Sequence, residues 1–243
     1  MGRELAKQPG AAVKTDPWLR FERFTGKKVW EDTDDEAGGR MPTEENIAFN
    51  EMVFRCLREG AGDKVDLIHG GHGQCSAEGA IATCKPLEPY DLFWIEEPTS
   101  PTASMDEMAR VAAHTSIPIA TGERLATVFQ FSELLRKQAA QIIQIDIGQA
   151  GGILVGKKVA AMAEASYAVI APHMYCGPVA AAAAIQVATC SPNFMIAEAN
   201  QGTLHKKIFK DPIVFENGHI EIPTGPGLGV EFDPKVLEKH IVS

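Results

Sequence analysis

The sequence has no stretch of the roughly 18 uncharged apolar residues that a membrane-crossing helix needs, and its opening MGRELAKQPG has no apolar core of the export-signal kind. Neither a spanning segment nor secretion is expected. Position 6 is Ala where a Met-Gly start would need Ser or Thr to accept a myristoyl chain, so no lipid anchor is expected either. Positive charge is scarce: 23 Lys and Arg face 32 Asp and Glu, for a formal net charge of −9. Such a field repels phosphate backbones and anionic lipid, which sets nucleic acid and membrane surfaces aside and favours a small-molecule ligand. The five cysteines (Cys56, Cys75, Cys84, Cys176 and Cys190) form no Cys-x-x-Cys pair and are odd in number. They read as reduced thiols of a cytoplasmic protein, not as a disulfide framework or a zinc site.

What is present is a β/α rhythm. Short apolar runs of strand length alternate with longer amphipathic or Ala-rich runs from about residue 65 onward. The strand candidates are 65–69, 91–95, 117–121, 142–146, 167–171 and 193–197, and AAVKT at 11–15 makes seven. Helix candidates lie near 43–60, 77–87, 104–114, 128–139, 152–166 and 178–190. Strands separated by helices pair in parallel through right-handed crossovers. Regular units with polar residues at the strand ends point to an α/β fold of the (β/α)8 TIM-barrel type, about seven of eight strands being present. The charged, aperiodic stretch 17–42 reads as a long loop. After residue 200 Pro- and Gly-rich turns surround the short strand candidate GHIEIP, and a brief helix follows, so 1–200 is read as a partial barrel and 201–243 as a tail.

Ionisable groups recur where these strands end: Lys14 and Asp16, His69 and His72, Glu96 and Glu97, Glu123 and Arg124, Asp146, His173, and Glu198. Strand ends of a barrel converge on one mouth, so groups scattered in sequence can share a site. Taken singly, each of them is as well explained by solvation or by capping of the next helix. Gly151-Gly152, opening a helix, could hold a phosphate on backbone N–H groups, and Ala180–Ala184 reads as a helix packed closely on its neighbours.

The segments WIEEPTSP, IATGERL, IIQIDIGQAGGI and IAPHMYCGP, in that order and one β/α unit apart, resemble the mandelate racemase and muconate lactonizing enzyme family of the enolase superfamily, above all its acid-sugar, galactonate-type dehydratases. The resemblance covers about residues 10–232. It implies Mg2+ held by Glu96 and Glu123, hard oxygen ligands of the kind that ion takes. It implies His173 as general base, oriented by Asp146, taking the proton alpha to a carboxylate. His72 matches the family's general acid. Gly70 stands where the resemblance expects a third carboxylate ligand, and glycine has no side-chain oxygen. Lys14, Arg124 and Glu198 match substrate-binding positions. Lys14-Thr15-Asp16 replaces the racemases' Lys-x-Lys, which favours elimination over inversion of a stereocentre.

The function so implied is Mg2+-dependent dehydration of a small-molecule sugar acid to a 2-keto-3-deoxy acid by a cytoplasmic lyase, expected as a homo-oligomer. Two alternatives stay open: cycloisomerisation or racemisation of a sugar acid or lactone, and a non-catalytic truncated barrel. The family's α+β capping domain and first barrel strand have no counterpart in this chain, so it reads as truncated at its N-terminus, with a tail that would pack on the missing cap.

Overall fold

The computed structural model describes residues 12–27, 29, 40–198 and 202–241. In chain order these form β1 (Ala12–Thr15), α1 (Pro17–Thr25), α2 (Glu44–Ala61), β2 (Asp66–His69), α3 (Ala77–Leu87), β3 (Trp94–Glu96), α4 (Met105–Ala112), β4 (Ile119–Thr121), α5 (Val128–Arg136), β5 (Ile142–Ile143), α6 (Ile153–Ala165), β6 (Val169–Ile170), α7 (Pro178–Thr189), β7 (Phe215–Glu216), β8 (His219–Ile220) and α8 (Pro234–Leu237). The chain divides into two compact units, Met1–Thr121 with Glu133–Ile142, and Gly122–Ser132 with Ile143–Ser243. In the first unit the sheet order repeats the chain order from β1 to β4.

In the first unit β1, β2, β3 and β4 pair in parallel, with Thr15 opposite His69, Ile68 opposite Trp94, and Ile95 opposite Ile119. Parallel pairing sends every strand's C-terminal end to one edge. Strands β2, β3 and β4 are largely buried, with Leu67, Ile95 and Ile119 each fully shielded from water. Helix α2 starts at Thr43, whose side chain accepts a hydrogen bond from Asn46 N. Helix α3 starts at Ser76, which accepts from Gly79 N, so each satisfies a backbone donor that the first helical turn leaves open.

The expected loop at 17–42 needs correction, because it opens with helix α1. Pro17 stands at the first helical position, where its missing N–H costs nothing and its fixed φ suits the helix. Trp18 and Phe21, three residues apart, are buried and hold one face of α1 against the core. The apolar stripe is only about one turn long, too short to stand out among the surrounding charges. Residues 28 and 30–39 of the expected loop lie outside the described residues, as does Ala11 of the first strand candidate.

In the second unit the regular strands are shorter than expected. The run 142–146 is regular only at Ile142–Ile143, yet pairing continues: Ala171 N donates to Ile143 O, His173 N donates to Ile145 O, and Asp146 and His173 form a parallel bridge. The strand expected at 193–197 is reduced to a bridge between Ile170 and Phe194, closed by two backbone hydrogen bonds at Ile170. Ala181–Ala184 of α7 are buried, in keeping with a closely packed helix. In the tail, β7 and β8 form a hairpin turned by Asn217 (φ +52°) and Gly218 (φ +79°), a two-residue turn whose backbone requires both left-handed conformations. Among the described residues, no helix is long and apolar enough to cross a membrane.

His69, the last residue of β2, belongs to the core of the first unit. Its ring stacks on Phe54, meets Trp18 edge-on, and lies with Nε2 2.7 Å from Asn50 Oδ1. Full burial holds its proton affinity down, near pKa 4 against the ordinary 6.5, and the nearby Asp16 charge only partly opposes this. The unfolded chain therefore binds a proton between those values that the folded chain refuses, and stability falls as pH drops below 6.5. Going from about pH 7.5 to about pH 5 should remove roughly 2 kcal/mol through this residue. Urea midpoints measured at both pH values should show that loss in the wild type and a clearly smaller one in His69→Gln, which cannot titrate; equal losses would contradict the assignment.

Candidate active site

At the strand-end edge of the first unit, a Lys–Glu ion pair and a His–Asp contact involve residues two apart in sequence, Lys14 and Asp16. Lys14 Nζ lies 3.0 and 3.3 Å from the two carboxylate oxygens of Glu96, whose side chain is 3% exposed. Trp94 Nε1 approaches the same carboxylate at 3.4 Å. Asp16, just past the end of β1, places Oδ2 2.7 Å from His72 Nδ1. Glu97 is fully buried, receives the hydroxyl of Thr121 at 3.2 Å, and holds a left-handed backbone (φ +36°) that a non-glycine residue adopts only when its surroundings impose it.

The loop that carries His72 has no slack. Gly70 N donates to Thr15 O and Gly73 N to Glu97 O, which ties the loop to both neighbouring strand ends. A Cβ on Gly71 would lie 2.5 Å from Glu96 O and 2.8 Å from the Trp18 ring, so only glycine passes there. A Cβ on Gly70 would meet Lys14 Cγ at 3.4 Å and Thr15 O at 3.5 Å, ordinary contacts.

The second unit builds its charged cluster around His173. Nδ1 of the ring lies 2.8 Å from Asp146 Oδ2, and Nε2 lies 3.4 Å from Glu123 Oε2 and 3.9 Å from Glu198 Oε2. Asp146 Oδ1 accepts from Gln149 N at 3.0 Å, and Glu198 Oε2 accepts from Met174 N and Tyr175 N. Arg124 reaches back to Glu123 at 3.6 Å with a side chain 40% exposed. Burial works against charge on His173, but the Asp146 hydrogen bond and the charges of Glu123 and Glu198 outweigh it and raise its proton affinity. Burial likewise works against the Asp146 carboxylate, and the donors from His173 and Gln149 more than reverse that, lowering its pKa. Cys176 is pushed the other way, up to about 11, by burial and by the charges of Asp146 and Glu198, so it stays a thiol.

The residues singled out from sequence lie in, or a few residues past, strands or isolated bridges. Lys14, Glu96 and His72 lie in the first unit; Glu123, Arg124, Asp146, His173 and Glu198 in the second. His69, one of the ionisable strand-end groups, points instead into the core. Two features were not anticipated. One is that Asp16 partners His72, which the shared register of β1 and β2 at Thr15 and His69 could have revealed. The other is that Lys14 pairs with Glu96, across 82 residues of sequence with no local pattern to announce it.

The glycines can be tested separately. Gly71→Ala should lower stability by about 1–3 kcal/mol, the usual cost of forcing atoms into filled space, while Gly70→Ala should stay within about 0.5 kcal/mol of wild type. Chemical denaturation of the three proteins measures both, and an unaffected Gly71→Ala would contradict the close backbone passage.

Known proteins place this geometry in context. Residues 20–236 match the family described as enolase C-terminal domain-like. The D-galactonate dehydratase of Ralstonia pickettii is 38% identical over 189 residues, covering 74% of this chain and 49% of that protein. The D-xylonate dehydratase of Haloferax volcanii is 32% identical over 192 residues, covering 78% and 46% respectively. This chain therefore spans about half the length of the curated relatives it matches. Among solved structures, a mandelate racemase/muconate lactonizing enzyme from Jannaschia sp. CCS1 superposes with a TM-score of 0.87 at 36% identity, covering 100% of this chain and 59% of that one. The expected α/β class and family hold, and the chain belongs to the enolase C-terminal domain-like family, the mandelate racemase and muconate lactonizing enzyme branch of the enolase superfamily.

Proposed function

We propose that this chain carries the proton-abstracting chemistry of a sugar-acid dehydratase, with His173 as general base and Asp146 as the residue that positions it. The observation that carries this reading is the 2.8 Å contact between His173 Nδ1 and Asp146 Oδ2 at bridged strand ends. With Nδ1–H donated to a carboxylate, Nε2 is the basic nitrogen. The raised proton affinity of the ring strengthens it for a weakly acidic proton alpha to a carboxylate. Removing that proton makes the substrate a dianion, so cations must answer it. We assign Lys14 and Arg124 to the substrate carboxylate and Glu198 to its hydroxyls.

His72 is assigned as the acid that protonates the departing hydroxyl. The C–O electron pair leaves with the oxygen as water, and the enol that remains tautomerises to a 2-keto-3-deoxy acid. The dehydratase names of the relatives support this substrate class. We further expect a cytoplasmic homo-oligomer with the tail 201–243 serving contacts to a capping domain.

Glu96 and Glu123 are assigned as ligands of Mg2+. Their carboxylate oxygens fit that ion in kind, and the Lys14 ammonium on both oxygens of Glu96 is a stand-in cation that supports the choice. In number they fall one short of three, with Gly70 at the remaining position. Bound Mg2+ would supply positive charge to the dianion.

The test is to incubate the chain with Mg2+ and a panel of aldonic acids and lactones in D2O, following alpha-proton exchange and product by NMR. Exchange with a 2-keto-3-deoxy product is expected, falling about 10²–10⁴-fold in His173→Asn. An isomerised lactone or inverted acid would support the cycloisomerase or racemase reading instead. Chelation by EDTA should abolish turnover, and Glu96→Gln or Glu123→Gln should weaken Mg2+ saturation in titration calorimetry. No exchange with any acid, together with no saturable Mg2+ binding below millimolar, would leave the non-catalytic reading.

A further inference from the structure

The chain holds two histidine–carboxylate contacts, each between residues that follow neighbouring parallel strands. In the second unit Asp146 follows β5 and His173 follows β6, the two form a parallel bridge, and Nδ1 is hydrogen-bonded to the carboxylate at 2.8 Å. In the first unit Asp16 follows β1 and His72 follows β2, its parallel neighbour, with Asp16 Oδ2 2.7 Å from His72 Nδ1. The Asp16 side chain is 14% exposed and that of His72 44%, so the carboxylate lies beneath and the ring reaches outward. Both partners are held by backbone: Asp16 lies between β1 and the Pro17 start of α1, whose Trp18 is buried. His72 lies between Gly71 and Gly73, the first with no room for a Cβ and the second tied to Glu97 O.

We propose that Asp16 is the positioning residue of His72: it holds the Nδ1 side of the ring, favours the protonated imidazole, and presents Nε2–H outward as the proton donor. The inference rests on the dehydratase reading, in which His72 serves the departing hydroxyl. In that step the Nε2–H bond breaks, its proton joins the leaving oxygen, the C–O electron pair goes to that oxygen, and His72 is left neutral until it regains a proton from solvent. Nothing is oxidised or reduced. His69 is buried and neutral at neutral pH, and the Lys14 ammonium lies on Glu96. Asp16 thus explains why the second position of the Lys-x-Lys pattern is acidic here: the chain exchanges a second base for a supported acid.

Three forms of the whole chain, wild type, Asp16→Asn and Asp16→Ala, decide this by ¹⁵N NMR of the histidine rings, with His72→Asn assigning the signal. In the wild type His72 should bind its proton more tightly than an ordinary histidine, and when neutral should keep the proton on Nδ1. In both Asp16 variants its proton affinity should fall about tenfold, and the Nδ1–H preference should survive in Asn, which keeps an acceptor oxygen, but not in Ala. A wild-type ring that titrates at or below the ordinary value overturns the proposal without any variant, and so does unchanged affinity in Asp16→Asn.

Kinetics in D2O supply the second reading. With an aldonic acid that the wild type dehydrates, Asp16→Asn should retain alpha-proton exchange and lose product formation by about 10–100-fold. Equal loss of exchange and product would overturn the proposal. If the wild type neither exchanges nor dehydrates any acid, the dehydratase reading falls, and the ring titration still decides whether Asp16 governs His72.

Discussion

The parallel backbone ladder is the constraint on which the chemistry of both units depends. In the first unit the last rungs set Thr15 opposite His69 and close Gly70 N on Thr15 O, so whatever follows β1 and β2 emerges at one level. In the second the rung from His173 N to Ile145 O does the same for Asp146 and His173. A side-chain contact of 2.8 Å between residues 27 apart is then a matter of register. A slip of one residue would turn each side chain to the other face and dissolve both pairs. The long apolar runs that make the ladder buried and rigid are therefore what hold two small, charged contacts in place.

Burial also accounts for how the charges are tuned. Glu96, Glu97 and Asp146 are all buried, and an ionised carboxylate away from water is tolerated only with partners. Each has them: an ammonium on Glu96, a hydroxyl on Glu97, and an imidazole with a backbone N–H on Asp146. Low-dielectric surroundings strengthen the Asp146–His173 contact and keep the Cys176 thiol protonated in the second unit, and in the first unit burial holds His69 neutral in its core. Three titratable side chains are thereby driven in different directions by one factor, their burial, and by whether a charge partner offsets it.

Much of this was legible before the structure. Six helix candidates matched to within a few residues, because their apolar stripes run for two turns or more, and four of them start at Thr43, Ser76, Ser104 or Pro178. The strand ends and their charged residues were equally plain, since Gly, Pro and acidic residues interrupt each apolar run. What was hidden has physical reasons. Helix α1 rests on two buried aromatics, fewer than periodicity needs. The 193–197 strand pairs through only one bridge, so its apolar run overstated its regularity. Lys14–Glu96 and Asp16–His72 depend on which strands are neighbours and in what register, information carried by the fold and not by any local pattern.

The two histidines differ in a way that suits opposite tasks. His173 is 11% exposed by its side chain, faces Glu123 and Glu198 beyond its Asp146 partner, and sits where a carboxylate cluster strengthens a base. His72 is 44% exposed, has its carboxylate beneath it, and stands on a glycine-pinned loop open to exchange with water. A base that must take a proton from carbon gains from a desolvated, charge-backed site, because the barrier lies in the weak acidity of the carbon. An acid that must be recharged after each turnover gains from access to solvent, provided something keeps it protonated until use. Family resemblance implies roles for both residues, but this difference in burial and backing is what makes each role chemically reasonable in this chain.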